Sequence, residues 1–68
     1  MNEDIFNMSI RRFLKNVGVR SQAEIERAIA KAIADGKLGG NETFPARMVL
    51  TIDKVSLNFT LDGEIKLE

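Results

Sequence analysis

The hydrophobic rhythm of this chain changes once. Up to about Ala34 the apolar residues return every three or four positions, and from Met48 onward they return every second position. The first spacing follows the turn of an α-helix and the second the pleat of a β-strand. With the change falling across Gly36–Pro45, the order reads as helices followed by antiparallel strands, an α+β arrangement. A length of 68 residues is that of one small domain, expected over the whole of residues 1–68.

Local signals divide the helical part in two. Asn2 is placed to cap a first helix from about Glu3 to Val17, with Glu3 and Asp4 where negative charge suits the helix dipole. Phe6, Ile10, Phe13, Leu14 and Val17 share one face of it. Gly18 supplies a residue for a left-handed helix end, and Val19 can fold back on the last turn. Ser21-Gln22-Ala23-Glu24 then fits a capping box that opens a second helix, lined by Ile25, Ala28, Ile29, Ala32 and Ile33 and ended by Gly36. Lys37–Pro45 reads as a connector, anchored at its ends by Leu38 and Phe44. Its Gly39-Gly40-Asn41 lacks the neighbours of a phosphate loop and is assigned as a plain linker.

Strands are expected over Arg47–Ile52 and Val55–Leu61, joined by a two-residue turn at Asp53-Lys54. That register sets Ile52 against Val55, Leu50 against Leu57 and Met48 against Phe59, all on one face. Asp62-Gly63 reads as a second turn, widened to three residues by Glu64, leading to a short third strand Ile65–Leu67. The expected fold is therefore ααβββ: two N-terminal helices packed on one face of a three-stranded antiparallel meander. Arg47, Val49, Thr51, Ser56, Asn58 and Thr60 are left on the solvated face.

Composition narrows the chemistry. The chain has no Cys, His, Tyr or Trp, so it lacks disulfides, an imidazole base, a thiolate nucleophile and the two commonest transition-metal ligands. Asp53, Asp62 and Glu64 match no calcium-loop spacing. No enzyme activity, cofactor or metal is expected. Ten basic residues balance ten acidic ones, without the basic excess that phosphate binding usually demands. No apolar run is long enough for a membrane span, and Met1-Asn2-Glu3-Asp4 lacks the basic-then-apolar order of a secretory leader. A cytoplasmic location is expected.

The residues nominated for contact lie on the helices. Arg11, Arg12 and Lys15 form a basic patch, with Met8 beside them. Ala23, Ala30 and Ala34 make a smooth stripe opposite the isoleucines of the second helix, with Arg27 between them, which would admit a second copy of the chain. A protein partner or self-association, including the homodimer such a stripe permits, is the leading expectation. The alternative is a nucleic-acid module of winged-helix outline, in which Phe13–Ser21 would be the helix-turn-helix corner and Arg27 and Lys31 would reach the major groove.

Three stretches carry a family resemblance: Asn2–Arg11, Val17-Gly18-Val19 with Ser21-Gln22, and the closing Asp62–Glu68. Through them the whole chain is similar to a family of short, uncharacterised bacterial proteins. Asp53-Lys54 stands where that resemblance leads one to expect Asp-Gly. The resemblance implies no activity and no site residues.

Overall fold

The computed structural model describes all residues from Met1 to Glu68. They form one helix, α1 (Glu3–Ala34), and two strands, β1 (Thr43–Ile52) and β2 (Leu57–Lys66), with a single 3-10 turn at Asp53–Val55 between the strands. The molecule divides into two compact units, Met1–Lys37 and Leu38–Glu68. The expected ααβββ arrangement is corrected at both ends: two helices become one, and three strands become two.

In the first unit, α1 begins and ends where its caps dictate. The Asn2 side chain accepts a hydrogen bond from the Ile5 backbone N–H at 3.1 Å, and Glu3 and Asp4 fill the first turn. At the other end Gly36 has φ +77°, its N–H donates to the Ile33 carbonyl at 3.1 Å, and the Lys37 N–H donates to the Ala32 carbonyl at 2.8 Å. Those two bonds are the paired closures of a Schellman end, and the positive φ is why glycine occupies the position.

Between these caps the helix passes through Gly18 and the whole Ser21–Glu24 segment without interruption. Gly18 keeps a negative φ, and Ser21 lies in the helix interior rather than at its start. A glycine inside a helix costs about 1 kcal/mol relative to alanine. Ending one helix and starting another would instead strip several backbone groups of their intrahelical partners at each new end. The residues after Gly18 are mostly good helix formers, so the smaller cost prevails.

In the second unit the two strands form an antiparallel ribbon running from Thr43↔Lys66 to Ile52↔Leu57. The connection takes four residues, Asp53–Ser56, not the two expected at Asp53-Lys54. Ser56 takes the left-handed conformation, φ 53° and ψ 36°, and its N–H donates to the Asp53 carbonyl at 3.1 Å. The register is displaced by two residues from that expected, so Leu50 faces Phe59 and Met48 faces Leu61. An even displacement keeps every side chain on its face. Phe44, Ala46, Met48, Leu50 and Ile52 therefore share one face with Leu57, Phe59, Leu61, Gly63 and Ile65.

The third strand does not exist. Asp62, Gly63 and Glu64 are paired strand residues opposite Arg47, Ala46 and Pro45, and Ile65–Leu67 continues the second strand and its exit. The reason is phase. Leu57, Phe59, Leu61, Ile65 and Leu67 all stand at odd positions, so the alternation crosses Gly63 unbroken. Arg47 and Asp62 meet on the polar face, Nε to Oδ1 at 2.7 Å.

β1 also starts earlier than expected, taking Pro45 into the ribbon. The Leu67 N–H donates to the Glu42 carbonyl at 3.0 Å, which puts the hydrogen-bonded pairs at even positions of β1. Pro45 then falls on a non-bonded pair, and its missing N–H would have pointed away from β2.

No residue of the chain is buried. Leu38 and Phe44, expected to anchor the connector to a core, are only half-buried.

Candidate interaction surface

α1 carries every residue nominated for contact. Met8, Arg11, Arg12 and Lys15 fall within two turns of one another and are all exposed. None of the three cations has an ion-pair partner, because the helix forms only the pairs Arg27–Glu24 and Lys31–Asp35. Arg27 and Lys31 are thus partnered within the helix, the latter at 3.0 Å. Ala23, Ala30 and Ala34 are exposed, and at about 100° per residue they lie on the same broad side as Arg12. The corner that a helix-turn-helix needs at Phe13–Ser21 is absent, because that segment is continuous helix. The winged-helix outline goes with it.

Continuity of α1 creates a surface that reading two separate helices concealed. Carried through Gly18 and Ser21, parts of the two apolar faces join into one stripe of Phe6, Ile10, Phe13, Val17, Ser21, Ile25, Ala28 and Ala32, while Ile29 and Ile33 wind off its flank and Glu24 and Lys31 share its margin. These eight positions stay within about 120° of the helix circumference, and Leu14 lies inside the same arc. Phe13 and Leu14 are 51% and 53% exposed. The signal was present in the spacing of four residues from Val17 to Ser21 and from Ser21 to Ile25. It was masked because serine and glycine there read as boundaries.

The hairpin unit has a comparable face. Phe59 and Leu61 are 50% and 59% exposed, and Met48, Ile52 and Leu57 are exposed beside them. Its polar face carries the Arg47–Asp62 pair. Asp53 stands in the turn while Asp62 and Glu64 lie in β2, and no group of three or more acidic side chains comes together to hold a metal ion.

The start of the second unit carries a third feature. The Glu42 carboxylate accepts hydrogen bonds from the backbone N–H groups of Gly39 at 2.8 Å, Gly40 at 2.9 Å and Asn41 at 3.1 Å. Gly40 takes φ +102°, which lets successive N–H groups converge as an anion-binding nest. The Gly39-Gly40-Asn41 linker is therefore a cradle filled by the carboxylate of the next residue. Those bonds, from Gly39 first and then Gly40, favour the charged form and hold the Glu42 pKa below the ordinary glutamate value.

No helix is long and apolar enough to cross a membrane. The chain belongs to a family of unknown function (DUF6494), whose profile matches residues 1–68. No curated protein and no solved structure matches it.

Proposed function

We propose that this chain is a non-enzymatic protein-interaction domain of the bacterial cytoplasm, and that it works by association of its apolar faces, self-association included. One observation carries the reading: each unit presents an apolar face and neither buries a single side chain. A lone amphipathic helix and a lone two-stranded hairpin are both marginal in water, since helix stability comes mostly from packing and hairpins need a third layer or strand. Small scaffolds without disulfide or metal reach stability by oligomerising or by exceptional packing, and this chain has no cysteine. Apolar area left in contiguous faces is the usual mark of a protein contact.

Sedimentation and far-UV circular dichroism over a hundredfold concentration range test the reading. The expected result is an assembly larger than one chain whose melting temperature rises with concentration. A monomer that melts cooperatively at a temperature independent of concentration would overturn it.

A further inference from the structure

We infer that the occupant of the α1 stripe is a second copy of the same helix, running antiparallel about a two-fold axis level with residue 19; this rests on the association reading above. The stripe positions 6, 10, 13, 17, 21, 25, 28 and 32 are separated by steps that read the same from either end. That property is what a two-fold antiparallel pair requires, because each position must meet a position equally far from the axis. Phe6 then meets Ala32 of the second copy, Ile10 meets Ala28, Phe13 meets Ile25, and Val17 meets Ser21.

The side-chain volumes point the same way. Bulky residues fill the N-terminal half of the stripe and smaller ones most of the C-terminal half. Antiparallel pairing puts a large residue against a smaller one at each of these four levels, as close packing favours, and sets Leu14 of the same arc level with Glu24 at its margin. Parallel pairing in register would stack phenylalanine on phenylalanine at one end and alanine on alanine at the other, prising the helices apart at one end only. The centre of symmetry lies within one residue of the midpoint of Glu3–Ala34, so two helices overlap along their whole length. Antiparallel dipoles also attract. The steps average about 3.7 residues, close to the repeat that keeps paired helices straight or slightly right-handed.

The absence of cysteine makes the geometry directly measurable. Val19→Cys and Ala34→Cys place a single spin label per chain on the exposed side of α1 away from the stripe. In the antiparallel pair the two Val19 labels lie level with each other, and the two Ala34 labels are offset by about 45 Å along the axis. The expected dipolar spectra therefore show a short distance at 19 and a much longer one at 34. A second measurement exchanges volumes: Ala28→Ile alone weakens the dimer roughly tenfold or more in sedimentation equilibrium, and adding Ile10→Ala restores it. Equal short distances at both labels overturn the antiparallel arrangement in favour of a parallel one. A dimer indifferent to the substitutions at 10 and 28 overturns the stripe as its seat while leaving the association reading intact, and a monomer at every concentration overturns both.

Discussion

Gly36 ends α1 and Gly18 lies inside it, although both follow a turn of well-formed helix and both are succeeded by residues compatible with a helix end. After Gly36 come Lys37, Leu38 and two further glycines, so little helical propensity is given up, and the Schellman bonds satisfy the last carbonyls. After Gly18 the chain supplies Val19, Arg20, Ser21 and then a long run of helix formers. The hairpin repeats the contrast. Asp53–Ser56 turns the chain, whereas Asp62-Gly63, the stronger turn dipeptide, lies flat in β2 because the alternation on either side agrees. A breaking residue acts as a break only where the residues beyond it do not sustain the same kind of element.

The strongest way to break the comparison is Gly18→Pro. In a continuous helix it removes the N–H bond of residue 18 and clashes with the preceding turn, at a cost of about 3 kcal/mol or more. Circular dichroism should show a large loss of helicity and a lower melting temperature. An unchanged spectrum would mean a corner already exists there.

Alanine at the two glycines sharpens it with opposite signs. Gly18→Ala should stabilise by up to about 1 kcal/mol, since φ is helical and an added Cβ meets nothing within 4 Å. Gly36→Ala, at φ +77°, should destabilise by about 1 kcal/mol or somewhat more. Thermal melts at one fixed concentration compare them, and shifts of the same sign would refute the contrast.

The smallest effect concerns Glu42. Because its folded pKa is lowered, its contribution is full above about pH 4.5, the ordinary value, and fades as the pH falls through the folded value. The amide resonances of Gly39 and Gly40 should move together over that acid range, and Glu42→Gln should abolish the movement. Amides that titrate identically in the variant would exclude the carboxylate as the cause.

Periodicity carried most of what was legible in the residues. Asn2, Glu3 and Gly36 marked the true ends of the helix, and the common face of Met48, Leu50, Ile52, Leu57 and Phe59 survived a wrong turn length, because parity is blind to a shift of two, while Val55 left it for the turn. The exact pairing was hidden because it depends on Ser56 accepting a left-handed backbone, which nothing in a serine announces. The nominated surface residues all lie on α1. The stripe from Phe6 to Ala32 is hidden in the residues, because Gly18 and Ser21 carry the signals of helix ends and so give each half its own axis. The Glu42 bonds are hidden for a different reason: paired glycines announce converging N–H groups, and nothing in their spacing says that the acid beside them fills the site.

Pro45 leaves the two margins of the ribbon unequal. The outward row of β1 lacks one amide donor near its start, whereas β2 offers Asn58, Thr60, Asp62, Glu64 and Lys66 with every outward amide intact. Any strand that extends this sheet, whether from a partner or in an unwanted aggregate, gains a complete ladder along the second margin and an interrupted one along the first.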